Sequence, residues 1–121
     1  KNKIFFIQAN AEHLPFKDKY FDCTIMGEIL EHVKDPVQVL REANRVSKNI
    51  YGTTPNEWEW DKEQRPFNCS VHIRYYSEKS LREDFKNAGI SEDQYKLFRI
   101  KGGGWSFWAF YKEMKNVGLT Q

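Results

Sequence analysis

The stretch FDCTIMGEILEHVKDPVQVLREANRVSKNIYGTTP, residues 21–55, decides the architecture of this chain. Phe21 to Gly27 is an apolar run of strand length, closed by the charged Glu28. Asp35-Pro36 follows, pairing an N-capping carboxylate with a proline suited to the first helical position. Val37, Leu40, Ala43 and Val46 recur at helical spacing, which predicts a helix over 36–47. Ile50 to Thr54 is another strand-like run, ended by Pro55-Asn56. Strand, helix and strand in that order argue for an α/β layered sheet.

The flanks extend the pattern. Upstream, Ile4 to Ala9 is rich in β-formers and reads as a buried strand, and Ala11 to Lys19, with Pro15, reads as a loop. Downstream, residues 56–72 show no period and hold Trp58 and Trp60, a length at which loops tend to be functional. Ser77 opens a helix with Leu81, Phe85 and Ala88 on its apolar face and Gly89 as its stop. Tyr95–Ile100 and Trp105–Tyr111, joined by Gly102-Gly103-Gly104, predict an antiparallel hairpin. The expected sheet is mainly parallel with that hairpin at its C-terminal edge. The domain then covers residues 1–112, with 113–121 as a tail. Ligands in such sheets gather beyond the carboxyl ends of the strands. Here those ends are Asn10-Ala11-Glu12, Glu28-Ile29 and Pro55-Asn56.

Composition narrows the function classes. Nineteen Lys and Arg against seventeen Asp and Glu leave a net charge of +2, with the basic residues interspersed among acids, so nucleic acid is not expected as a partner. No run approaches 18 uninterrupted apolar residues, so no membrane span is expected. Cys23 and Cys69 have no metal or disulfide spacing; Cys23 reads as a small core residue, and reduced thiols point to the cytoplasm. The chain opens in a strand-like run, without Met and without the order of a signal peptide, and so reads as beginning inside a domain.

Asn10-Ala11-Glu12-His13-Leu14-Pro15-Phe16, followed by Tyr20-Phe21-Asp22, resembles a signature of class I S-adenosylmethionine-dependent methyltransferases of the type 11-like family. Gly27-Glu28-Ile29-Leu30-Glu31-His32-Val33, Asp35-Pro36, Leu40-Arg41-Glu42, Arg45-Val46, Thr54-Pro55-Asn56 and His72-Ile73-Arg74-Tyr75-Tyr76-Ser77 continue the likeness, which covers about residues 4–112. The resemblance implies a partial Rossmann-like methyltransferase sheet, S-adenosylmethionine as cofactor, and methyl transfer to a small-molecule or sugar-linked acceptor. Asn10, Ala11, Glu12, Glu28 and Ile29 would then be cofactor-binding, with the Asn10 side chain toward the adenine amino group and the Ala11 N–H toward a ring nitrogen. Trp58, Trp60 and His72 would wall the acceptor pocket, with His72 the candidate catalytic residue.

The family's glycine-rich loop and the acidic residue of its second strand have no counterpart here, and Gly102–Gly104 precede no helix and cannot replace them. The expectation is a chain inactive by itself; the alternative is a catalytically dead, methyltransferase-like interaction module. With both strands that would separate the first from the next missing, the chain must close the gap, leave its first strand detached, or pair with another copy; exposed strand edges favour a homodimer.

Glu28, Glu31 and His32 spell E-x-x-E-H, with His72 downstream, a pattern that some methyltransferases of RNA ends or catechol-like rings use for a divalent metal. Set against this, Glu31-His32 beginning the following helix explains the string without a metal; that reading is preferred, and no metal is expected. An RNA substrate rests on this string alone, and the modest charge opposes it. His13 reads as a surface residue, an Asx turn is the plain alternative for Asn10, and Trp105, Phe107 and Trp108 read as core or interface.

Overall fold

The computed structural model describes residues 3–60 and 72–114. Strand β1 (Phe21–Gly27) leads through a turn to helix α1 (Pro36–Val46), which runs straight into β2 (Ser47–Pro55). A short 3-10 turn (Glu57–Glu59) follows, then α2 (Glu78–Asn87), another 3-10 turn (Glu92–Gln94), and the hairpin β3 (Tyr95–Gly102) and β4 (Trp105–Lys112). The sheet order is β1-β2-β4-β3. β1 and β2 are parallel, with Gly27 opposite Thr53. β4 runs antiparallel to both β2 and β3. The α/β class and the hairpin agree with the sequence pattern, and parallel pairing among the described residues is confined to β1 and β2.

Local chemistry fixes the helix ends. The Asp35 carboxylate accepts the Gln38 N–H at 3.0 Å, and Pro36 takes the first turn, where its missing N–H costs nothing. The Ser77 hydroxyl accepts the Ser80 N–H, while the Ser80 hydroxyl accepts the Ser77 N–H, a reciprocal box. Gly89 closes α2 at φ +83°, where a side chain would be strained.

Both helices cover one face of the sheet. Leu40 and Ala43 of α1, Leu81 and Phe85 of α2, and Ile50, Trp108 and Phe110 of the strands are buried there with Met26 and Ile90. Each fully buried Leu, Ile or Phe contributes roughly 1.5–3 kcal/mol. Phe85 stacks on Tyr95 at 4.3 Å and meets Phe110 edge-on at 5.1 Å. Among the described residues Trp60 covers the Phe107 end of the opposite face, and the part toward β1 is open. Ile25 is 80% exposed and Phe98 47%, beside Tyr51, which is also exposed.

Two expectations from the sequence are corrected. Ile4 to Ala9 forms no strand; Phe6 is 96% exposed. Apolar β-formers need a partner strand, and β1, the nearest sheet edge, takes none beyond β2. Cys23 is exposed rather than in the core, because it lies on the bare face of β1 while Met26 takes the covered one. Cys69 lies outside the described residues. Beyond β4, Glu113 accepts the Tyr51 hydroxyl at 2.9 Å and the Met114 N–H reaches Asn49 Oδ1, so the chain stays tied to β2 past residue 112. No helix among the described residues is long and apolar enough to cross a membrane.

Candidate functional site

Because β1 and β2 are parallel, their carboxyl ends lie side by side and deliver Glu28 and Asn56-Glu57 to one edge. Glu28 is anchored twice: its N–H donates to Thr53 O at 3.0 Å, and its carboxylate accepts the Thr53 hydroxyl at 3.3 Å. It holds φ at +55°, a conformation that a non-glycine residue keeps only where its surroundings impose it. Burial, followed by the nearby Glu31 carboxylate, pushes the Glu28 carboxyl above its ordinary range.

The chain then turns through Leu30, Glu31 and His32, with the His32 N–H bonded to Ile29 O. Arg74 straps this turn. Its guanidinium donates to Leu30 O at 2.6 Å, to Val33 O, and to Lys34 O at 3.1 Å. The Ile73 N–H adds a bond to Glu31 O at 2.8 Å. These bonds bring His72 onto the turn, where its ring meets that of His32 edge-on at 4.7 Å. His72 Nδ1 contacts Glu57 Oε1. Glu31 is buried, and one of its oxygens accepts the Thr54 hydroxyl at 3.2 Å. The other has no hydrogen-bond partner among the described residues; His32 Nε2 stands 3.5 Å away. One Glu57 oxygen is likewise buried and unbonded.

The loop bearing Asn10, Ala11 and Glu12 is fastened to α1. Gln38 donates to Glu12 O at 2.9 Å, and the Leu14 N–H donates to Glu42 Oε1 at 2.8 Å. Arg45 joins the Glu42 carboxylate at 2.6 Å and donates to Phe16 O and Leu14 O. The Arg45 guanidinium holds the Glu42 carboxyl below its usual range. Asn10 Oδ1 accepts the Glu12 N–H at 2.9 Å, an Asx turn, and the second lone pair of that oxygen leaves it one further acceptor position. Ala11 is half-buried against the core.

The two tryptophans point apart. Trp58 is 64% exposed and packs edge-on to Tyr75 at 5.8 Å. Trp60 is buried against Trp105 and Phe107, its indole N–H donating to Ser106 O at 2.6 Å. Glu57, Glu42 and Arg45 were not picked out as site residues from the sequence. Glu57 lies in an aperiodic loop, and Glu42 and Arg45 carried the family likeness and the spacing of an ion pair on a helix, with no signal of a role in holding the Asn10 loop.

The fold is similar to that of solved S-adenosylmethionine-dependent methyltransferases. Residues 1–49 match the methyltransferase domain family. A ubiquinone/menaquinone biosynthesis C-methyltransferase of Vibrio cholerae is 47% identical over 45 residues, which is 37% of this chain and 17% of the relative. A SAM-dependent methyltransferase of Thermotoga maritima, a possible histamine N-methyltransferase, superimposes with a TM-score of 0.69 at 22% identity, covering 93% of this chain and 65% of that one. The N-terminal domain of EvdMO1, solved in the presence of S-adenosylhomocysteine and D-fucose, gives 0.56 at 19% identity, over 88% of this chain and 53% of its own. The match thus spans under a fifth of the curated relative and just under two thirds of the Thermotoga enzyme.

Proposed function

We propose that this chain is part of a methyltransferase that uses S-adenosylmethionine to methylate a small-molecule or sugar-linked acceptor. The observation that carries this reading is the carboxyl edge of the β1–β2 pair, where a strained, doubly anchored Glu28 lies in the signature-bearing half of the chain. The donor set fits the cofactor. A sulfonium and an ammonium are cations, and Glu28 offers a half-buried carboxylate. Asn10 offers an acceptor position for an adenine amino group, with Ala11, Glu12 and Ile29 completing the cofactor side. The cofactor would supply the methyl group. The chain's own residues orient the reactants and keep water out, which can provide much of the rate in such a displacement.

On the acceptor side stand Trp58, the exposed ring at this end of β2, and His72, whose Nδ1 is engaged by Glu57 so that Nε2 can act as a base. The exposed, free Cys23 favours a reducing compartment such as the cytoplasm. The open part of the sheet face favours pairing with a second copy, and an interaction module is the second reading it supports.

The test is calorimetric titration of the folded chain with S-adenosylhomocysteine. Binding that Glu28→Gln weakens by about tenfold, the loss expected for one ionic contact of about 1.4 kcal/mol, supports the reading. No heat of binding from a chain shown to be folded by circular dichroism rejects a cofactor site built from these residues.

A further inference from the structure

The expected structural explanation of E-x-x-E-H placed Glu31 and His32 at the start of a helix. Helix α1 instead begins at Pro36, and both residues lie in the preceding turn, held against His72 by the Arg74 strap. One ligand atom from each of Glu31, His32 and His72 falls within 4.8 Å of the others. A cation with nitrogen and oxygen ligands at about 2.1 Å in tetrahedral geometry holds them about 3.4 Å apart, so the widest pair must close by up to about 1.4 Å, a movement within reach of side-chain rotation.

Two further observations point to a ligand. Glu31 is 1% exposed, yet one oxygen lacks a hydrogen bond, and no Lys or Arg pairs with it among the described residues. A buried carboxylate in that position calls for a positive charge. Glu57 also engages His72 Nδ1, and a carboxylate on one imidazole nitrogen is the arrangement that fixes the tautomer and frees the other nitrogen for a metal.

We propose that Glu31, His32 and His72 bind a divalent transition-metal cation, with Glu57 as the residue that orients His72. Two imidazoles and a carboxylate suit Mn²⁺ or Zn²⁺ better than the oxygen-seeking Mg²⁺ or Ca²⁺. Three protein ligands leave coordination positions open beside the acceptor side of the edge, and with the metal bound His72 is a ligand in place of a base. The proposal does not depend on the cofactor reading, because metal binding is measured without cofactor.

The experiment is titration of the chelator-stripped chain with Mn²⁺, counting free ion by its six-line electron paramagnetic resonance signal. One ion per chain is expected, with a rise in Tm of roughly ten degrees at Mn²⁺ a hundredfold above Kd. His72→Ala and Glu31→Gln should each weaken binding more than tenfold, Glu57→Gln by about 10- to 100-fold, and His13→Ala should change nothing. No binding by the parent chain, or variants that bind like the parent, overturns the proposal. Should His72→Ala fail to fold, Glu31→Gln decides. If the metal-free variant melts at or above the parent and has lost the Mn²⁺-induced rise, Glu31 is a ligand. If it melts lower and keeps that rise, Glu31 is a structural hydrogen-bonding residue and the site is disproved.

Discussion

Gly52 shows how closely the covered face is packed. A Cβ added there would come 2.3 Å from Phe110 Cζ and 3.0 Å from the Met26 carbonyl oxygen. Phe110 is buried and meets the Phe85 ring edge-on, so yielding would disturb a packed neighbour. Gly52→Ala should therefore cost about 1–3 kcal/mol, read as a lower urea midpoint with an unchanged slope. Asp84 makes a different kind of prediction. Burial raises its carboxyl above the ordinary value even though the Tyr76 hydroxyl donates to it at 2.6 Å. Its folded pKa thus exceeds its unfolded one, so the acid form favours the fold. That contribution is complete below about pH 4 and is lost as pH rises through the raised value. Asp84→Asn should accordingly raise Tm at pH 7 and bring no gain at pH 3; an equal gain at both would contradict the assignment. Neither feature could be read from the sequence, since each depends on which side chain lies across the sheet or helix, a fact set by tertiary register.

At the scale of elements, the ends of the helices were legible and the neighbours of the strands were not. Asp35-Pro36 and Ser77 with Ser80 mark their helices through bonds within three residues, so local chemistry suffices. Ser77→Ala should remove the cap of α2 and destabilise the chain by about 1 kcal/mol, with faster amide exchange at Ser80; unchanged exchange there would show that the cap carries no weight. The run from Ile4 to Ala9 has the composition of a strand, but a strand exists only by pairing, and pairing is a long-range property. The same reasoning covers the site. The edge residues Glu28 and Asn56 follow from parallel strands, a pattern visible in residues 21–55. The meeting of His72 with His32 and Glu57 depends on Arg74 reaching carbonyls some forty residues earlier, which no local spacing reveals.

For the molecule as a whole, the helices shield one face of the sheet and leave Ile25, Tyr51 and Phe98 open on the other. Tyr111 stacks on both Tyr51 and Phe98 at 5.9 and 5.8 Å, so the exposed rings form a continuous apolar surface rather than scattered side chains. If a second copy covers this surface, light scattering at micromolar concentration will give twice the chain mass of 14.5 kDa; a monomeric mass rejects the pairing. The exposed thiol of Cys23 on this face then acquires a use. In a chain where Cys69 is replaced by Ser, alkylation of Cys23 becomes a clock for solvent reaching β1, running at its full rate when the surface is open and slowing in step with whatever closes over it.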